Sequence, residues 1–385
     1  MTFSRRNFIW GTAAVLAATQ LKARALAAAV ANTGIKDVFK GDFFIGTAIS
    51  NEALEKPDTE LLALISREFN AITAENCMKW EPIRPQLDQW NWELADRFVD
   101  FGLKNNMYVV GHTLIWHSQA PDHIYLDADG KPNNRLAQLA VMEEHIRTLA
   151  GRYKGKIDAW DVVNEAVEDD GSWRQTGWYR NVGPEYVAHA FRLAAEVDPN
   201  AKLLYNDYNA AVPTKREAII SVVKGIQREK APIHGVGMQG HISLSHPDFG
   251  EFEKSIVEYA KLGVKVHITE LDIDVLPLAW NLSAEISNRF EYRPEMDPYR
   301  DGLPAEVEKA LADRYEALFK ILLKHRDKVE RVTTWGTHDG ETWLNGFPIP
   351  GRVNYPLLFD RNQQPKEAYH RLIQLRRHRR YRNPA

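Results

Sequence analysis

Ile157-Asp158-Ala159-Trp160-Asp161-Val162-Val163-Asn164-Glu165 is a short β-rich run that turns polar at its end. It follows Arg135–Tyr153, where apolar residues recur at the three-to-four spacing of one helix face. The same helix-and-strand unit recurs in both directions from here. Upstream lie the strand candidates Phe43–Ile49, Phe69–Glu75 and Met107–Trp116. Downstream lie Leu203–Tyr208, Gly235–His241, Val264–Leu271 and Val332–His338. The intervening stretches read as helices; Pro304–His325 carries Asp and Glu on the face opposite its apolar one. Strands alternating with helices imply a parallel sheet, and eight such units predict a closed (β/α)8 TIM barrel of α/β class. An open doubly wound sheet is the competing architecture. It usually carries a Gly-rich phosphate turn after its first strand, and Phe44-Ile45-Gly46-Thr47-Ala48 offers no G-x-G-x-x-G.

The chain has 385 residues, 49 basic against 52 acidic, and a formal net charge of −3. With 44% hydrophobic and 26% charged residues it has the composition of a globular protein. That balance argues against disorder, a coiled coil, a multi-span membrane protein or a strongly basic nucleic-acid binder. The length suits an α/β barrel forming one domain. A single cysteine, Cys77, leaves no intrachain disulfide. The 11 Trp, 14 Tyr and 15 Phe provide flat apolar faces suited to stacking on rings, although most of them are expected in the core.

Residues 1–30 read as an address rather than as part of the barrel. Ser4-Arg5-Arg6-Asn7-Phe8 precedes an apolar run from Ile9 to Ala18, and small-residue triplets such as Ala23-Arg24-Ala25 and Ala27-Ala28-Ala29 follow. This is the layout of a cleaved signal peptide of twin-arginine type. The alternative is an uncleaved anchor, but the apolar run is shorter than the roughly 20 residues a spanning helix needs. The reading predicts a bacterial protein exported to the periplasm or the medium, with no membrane association after cleavage. The barrel domain is assigned to 31–377 and a basic C-terminal tail to 378–385, with fraying expected from Arg376 onward. The connection from about Asp274 to Leu303, rich in Pro, Asn and aromatics, is expected to pass over the barrel mouth.

Barrel chemistry sits at the C-terminal ends of the strands. Those ends read Glu75-Asn76-Cys77-Met78-Lys79-Trp80, His112-Thr113-Leu114-Ile115-Trp116-His117, Asn164-Glu165, Tyr205-Asn206-Asp207-Tyr208-Asn209, Gln239-Gly240-His241, Thr269-Glu270-Leu271-Asp272 and Trp335-Gly336-Thr337-His338-Asp339. From the second strand onward, each candidate turns polar or aromatic at the same end, which a scaffold alone does not require. Glu165 and Glu270 stand out, because each closes an apolar run and their strands face each other across the mouth. Two facing carboxyls are what glycoside hydrolysis needs: one protonates the leaving oxygen, and the other attacks the anomeric carbon or activates water. The acid is expected to have its pKa raised by burial or by its partner, while the nucleophile needs hydrogen-bond donors to stay ionised. Asn164, Gln239 and His241 are candidate donors. The bland alternative is that each Glu is a solvated loop residue.

A metal site built from His112, His117, His241, His267, Asp272 and His338 is the other chemistry weighed. No H-E-x-x-H helix and no His-x-His on the first strand supports it. No metal and no cofactor is therefore expected. A nucleophilic Cys77 would need a partnered base, and its neighbours single none out. Trp116, Trp335 and Trp343 flank polar strand ends, where sugar stacking and rim packing are both open readings.

Several motifs in order resemble glycoside hydrolase family 10, the retaining endo-β-1,4-xylanases. They are Glu75-Asn76-x-Met78-Lys79, Gly111-His112-Thr113-Leu114-x-Trp116-His117, Trp160-Asp161-Val162-Val163-Asn164-Glu165-Ala166, Gly237-x-Gln239-x-His241 and Ile268-Thr269-Glu270-Leu271-Asp272, with Trp335 and Trp343 beyond. The resemblance covers about Ile35 to Leu375. It implies a retaining endo-1,4-β-xylanase acting on xylan or xylo-oligosaccharides, a monomer without a nucleic-acid partner. It implies Glu165 as acid/base and Glu270 as nucleophile, with His241 and Asp272 orienting Glu270 and keeping it ionised. Asn164 would bind the 2-hydroxyl of the sugar being cleaved. Glu75, Asn76, Lys79, His112, Trp116 and Gln239 would bind sugars on the non-reducing side. Tyr208 would stack on the leaving-group side, and Trp335 and Trp343 would pack over the sugar at the cleavage point. Cys77, the long Asp274–Leu303 connection and the stretch Phe347–Tyr355 depart from the plainest members; they border the cleft and leave subsite number open. A retaining barrel glycosidase acting on β-1,4-glucans and a non-catalytic sugar-binding barrel remain as alternatives.

Overall fold

Ala159-Trp160-Asp161-Val162-Val163-Asn164 is buried at every position, as befits a strand with packed side chains on one face and helices on the other. In the computed structural model, which describes residues 33–277 and 290–382, this strand is β4. The others are β1 (Phe44–Ile49), β2 (Ala71–Ala74), β3 (Tyr108–Ile115), β5 (Lys202–Asp207), β6 (Gly235–Met238), β7 (His241–Ser243), β8 (Lys265–Asp274) and β9 (Val329–Thr334). Their order is β6-β5-β4-β3-β2-β1-β9-β8-β7, and β6 also pairs with β8. That last pairing closes eight parallel strands into the expected barrel. The signal peptide assigned to residues 1–30 lies outside the described residues.

The helix expected at Arg135–Tyr153 spans Arg135–Arg152, and the Asn134 side chain caps it by accepting from the Ala137 amide at 3.0 Å. Met142, Ile146 and Leu149 are its buried stripe. The helix expected at Pro304–His325 spans Ala305–Lys324 and buries Leu311, Leu318 and Leu322. Burying one such side chain is worth about 1.5–3 kcal/mol, so these stripes hold the outer ring to the barrel.

Three strands end three or more residues away from the expectation, and the boundaries of the other strands shift by at most two. β6 stops at Met238, because Gly240 takes φ +86° and turns the chain before β7 begins. β8 runs on to Asp274, because β7 pairs beside it in the register His241↔Asp272. β9 covers Val329–Thr334 rather than Val332–His338. Beyond it, Asp339 bonds to Phe359 through its amide and pairs with Lys366 at 2.8 Å, drawing the chain off the barrel. The tail expected to fray from Arg376 is helical as far as Arg382, the last described residue: Glu367–Arg382 is one helix, and Arg376 pairs with Asp42.

Two long segments meet beside the mouth. Phe290 donates to the Pro348 carbonyl at 3.0 Å, Val353 to Asp297 at 3.0 Å, and the Tyr355 hydroxyl to the Tyr299 carbonyl at 2.9 Å. Phe347 stacks on Trp343 with ring centres 4.8 Å apart. The described end of the Asp274–Leu303 connection therefore packs on the Phe347–Tyr355 stretch; its middle, 278–289, lies outside the described residues. Among the described residues no helix is long and apolar enough to cross a membrane.

Candidate active site

β4 and β8 are separated by β5 and β6, and their two glutamates enter the mouth from different directions. Glu165 directly follows β4, with φ 58°. A non-glycine residue in the left-handed region costs about 1–3 kcal/mol and persists where its surroundings over-determine it. Register shifts between Asp161 and Val163, and between His112 and Ile115, mark the same end of the barrel. Such irregularities re-aim side chains beside a site. Glu270 is the sixth residue of β8 rather than its end, because β8 continues past it to pair with β7. Glu165 is 9% exposed and Glu270 5%, so neither is a solvated loop residue.

Their surroundings differ. Glu165 accepts from the Trp116 indole at 2.9 Å, from Gln239 at 2.9 Å and from Asn164 at 3.2 Å. Glu270 accepts from Asn206 at 2.7 Å and meets His241 Nε2 at 3.1 Å. His241 Nδ1 lies 2.9 Å from Asp272, and the Trp343 indole donates to that same Asp272 oxygen at 2.7 Å. Burial pulls the His241 imidazolium down, but the Asp272 carboxylate, and after it Glu270, push it up to about 10. Protonated His241 thus donates from both ring nitrogens. Burial raises Glu270, yet the hydrogen bond from His241, the charges on His112 and His241, and the Asn206 amide together hold it below the ordinary carboxylate range.

Asn206 had no assigned role in the sequence reading. Thr269 donates to its side-chain oxygen at 2.6 Å, and its own amide reaches Asn164 at 2.9 Å as well as Glu270. Asn164 in turn donates to Glu165, so two asparagines link the carboxyls. The expected donors are thereby redistributed: Asn164 and Gln239 serve Glu165, while Asn206 and His241 serve Glu270. Gly237 makes room for this link, since a Cβ there would lie 2.2 Å from the Asn206 oxygen. The one signal in the sequence was position: Asn206 stands at the polar end of its strand.

The other expected residues come to the same mouth. Lys79 donates to Asn76 at 2.9 Å, and Asn76 to Glu75 at 3.1 Å. Lys79 Nζ stands 5.1 Å from the Trp116 ring centre and 5.9 Å from that of Trp335. Burial pushes the Glu75 carboxyl up against the pull of Lys79, and it pushes the Lys79 ammonium down against the pull of Glu75. His112 is fixed by Asp161 at 2.9 Å and meets the Trp335 ring edge-on at 5.4 Å. Trp343 lies 4.7 Å from His241, ring centre to ring centre. Tyr208 is linked to Glu165 through Arg174, which donates to the Tyr208 hydroxyl and to the Glu165 carbonyl, and its ring lies 3.8 Å from Lys215 Nζ.

The histidines weighed as metal ligands are spent or scattered. His241 lies between Glu270 and Asp272, His112 is tied to Asp161, and His338 faces Glu341 at 3.6 Å. Among the described residues no three His, Cys, Asp or Glu side chains are grouped to hold a metal ion. Cys77 is buried, and burial pushes its thiol up to about 12, far from a reactive thiolate.

The sequence profile of glycosyl hydrolase family 10 matches residues 34–375. The chain belongs to this family. It is 42% identical over 342 residues to endo-1,4-beta-xylanase A of Xylanibacter ruminicola, a match covering 89% of this chain and 93% of that one. Against an endo-1,4-beta-xylanase of Geobacillus stearothermophilus the identity is 39%, covering 89% and 98% of the two chains. Among solved family 10 structures, an endoxylanase retrieved from sugarcane soil metagenome superposes with a TM-score of 0.86 at 58% identity, covering 89% of this chain and 99% of that one. Xylanase 10B from Thermotoga petrophila, solved in complex with xylobiose, gives 0.78 at 32% identity, covering 90% and 98%. Family 10 membership makes the barrel mouth the place to look for glycosidase chemistry.

Proposed function

We propose that this chain is a retaining endo-1,4-β-xylanase, with Glu270 as nucleophile and Glu165 as acid/base. The observation that carries the reading is the unequal surroundings of the two buried carboxyls. Glu270 is held ionised by His241 and Asn206, as a nucleophile must be. Glu165 follows β4, accepts from the Trp116 indole and is linked through Arg174 to Tyr208. In the first step Glu270 attacks the anomeric carbon while Glu165 gives its proton to the departing glycosidic oxygen. In the second, Glu165 takes a proton from water, which attacks the same carbon and returns Glu270 as a carboxylate. Two inversions give net retention.

Glu75, Asn76, Lys79, His112 and Gln239 supply directional donors and acceptors for sugar hydroxyls on the non-reducing side. Trp116, Trp335 and Trp343 supply the flat apolar walls that ring faces prefer. Asn164 donates to Glu165 and accepts from Asn206, the donor to Glu270, and would bind the 2-hydroxyl at the cleavage point. Xylose lacks the hydroxymethyl arm of glucose, so a wall close to C5 admits one and crowds the other. Residues 1–30 support export by a twin-arginine-type signal; sequencing the N-terminus of the mature protein tests that part.

The decisive experiment is proton NMR of xylohexaose digestion at early times. Internal cleavage with the β-anomer appearing first is expected. The α-anomer first would overturn retention, and cleavage of cello-oligosaccharides in preference would move the substrate to β-glucans. Binding without release of reducing ends would reduce the chain to a sugar-binding barrel.

A further inference from the structure

Glu165 holds its carboxyl over the cleft from a backbone that L-residues rarely adopt, and something must keep it there. Its amide donates to the Asn206 carbonyl at 2.9 Å. Its carbonyl accepts from the guanidinium Nε of Arg174 at 3.1 Å. Arg174 closes a tight hairpin that starts at Glu165: its own amide donates to the Ala166 carbonyl at 2.9 Å, and Val167 bridges Trp173. The guanidinium is buried, pairs with Glu168 at 3.1 Å and donates through the same nitrogen to the Tyr208 hydroxyl. Lys215 braces the hairpin from beneath, donating to the Val167 carbonyl at 2.7 Å and pairing with Asp207 at 3.0 Å. One planar, always-charged fork thus touches both the backbone that aims Glu165 and the ring on the leaving-group side.

We propose that Arg174 is a positioning residue that aims Glu165 and ties that aim to the leaving-group side through Tyr208. The inference rests on Glu165 being the acid/base. A sugar stacking on Tyr208 would fix the ring, the ring would fix the guanidinium, and the guanidinium would fix the peptide of Glu165. Proton delivery would then be most accurate when a leaving sugar is present to receive it.

The test uses the purified chain with Arg174→Met and Arg174→Lys, on xylohexaose and on 2,4-dinitrophenyl β-xylobioside. The aryl leaving group departs without a proton and puts no sugar on Tyr208. General acid catalysis is worth about 10²–10⁴-fold, so partial misaiming in Arg174→Met should cost xylohexaose kcat/KM roughly 10–100-fold. The kcat/KM for the aryl glycoside should stay within about threefold, because that step needs no acid. Its kcat and KM should fall together, since water attack on the glycosyl-enzyme still needs Glu165 as base. Azide should restore kcat: it attacks the anomeric carbon without a base, and the bond to Glu270 breaks to release the carboxylate. Arg174→Lys should recover part of the loss, and Arg174→Met added to Glu165→Ala should cost nothing further.

Equal losses on the two substrates, or additive losses in the double variant, would overturn the proposal in favour of a general structural role. No loss on xylohexaose would overturn it outright. If Arg174→Met does not fold, Tyr208→Phe keeps the ring, breaks the tie, and should lower kcat/KM for xylohexaose alone. An unchanged xylohexaose value in Tyr208→Phe counts against the tie. The acid/base reading fails separately, if Glu165→Ala itself loses equally on both substrates.

Discussion

The side-chain amide of Asn206 stands 2.7 Å from Oε1 of Glu270 and reaches Asn164 at 2.9 Å, so one nitrogen joins the surroundings of both buried carboxyls. It is oriented from behind by Thr269. Asn206 therefore belongs to the machinery that keeps Glu270 ionised, together with His241.

Replacing Asn206 by Ala removes a donor to a charged group. Such a bond is worth about 1.5–3 kcal/mol, so kcat/KM on xylohexaose should fall roughly 10–100-fold. Asn206→Asp should be worse, because it sets a second carboxylate against Glu270. A variant with unchanged turnover would remove Asn206 from the site.

Gly237→Ala should act through the same atom. The new Cβ would sit 2.2 Å from the Asn206 oxygen and 2.9 Å from a Thr269 methyl. Asn206 must then swing away, so the kinetic loss should resemble that of Asn206→Ala, with a lowered Tm. Combining both substitutions should be no worse kinetically than Asn206→Ala alone, since the smaller side chain makes the room. Additive losses would show that Gly237 acts by another route.

Glu270→Ala should lose nearly all turnover yet still bind oligosaccharide, measurable by calorimetry. Glu165→Ala should cost far more kcat/KM with sugar leaving groups than with activated aryl glycosides. Wild-type-like turnover by clean Glu270→Ala would sink the nucleophile assignment.

Stability should depend on pH through His241. An unfolded imidazole titrates near 6.5, whereas His241 in the fold keeps its proton up to about 10. The folded state binds more protons between these values, so this contribution is complete below pH 6.5 and is lost as pH rises through 10. Tm should decline across that window, and the decline should be shallower in His241→Gln. Parallel curves for the two proteins would show that the Glu270–His241–Asp272 chain does not set it.

Dialysis against a chelator should leave activity unchanged, because His112 and His241 are already committed to carboxylates. Loss of activity, restored by one added metal, would reopen the metal reading.

The barrel was legible because each strand carries its own signal. A run such as Ala159–Asn164 is mostly apolar because it is buried on both faces, and the helices repeat at their own period; both are local patterns. The places where the outline slipped are places where a distant partner decides. β8 is long because β7 lies beside it, β9 ends early because Asp339 is drawn to Phe359 and Lys366, and Arg376 stays helical with Asp42 to pair with.

The site divides along the same line. Sequence by itself singled out polar and aromatic residues toward one end of the strands, Glu165 and Glu270 among them, because residue type along a strand is a one-dimensional fact, even where the strand ends themselves were misplaced. Only tertiary structure decided which donor serves which carboxyl, that Asn206 stands between them, that Gly237 must stay small, and that Arg174 grips the backbone of Glu165. Those are relations between residues far apart in the chain. A hydrogen bond depends on distances of a few tenths of an ångström, and the closing of the barrel sets them.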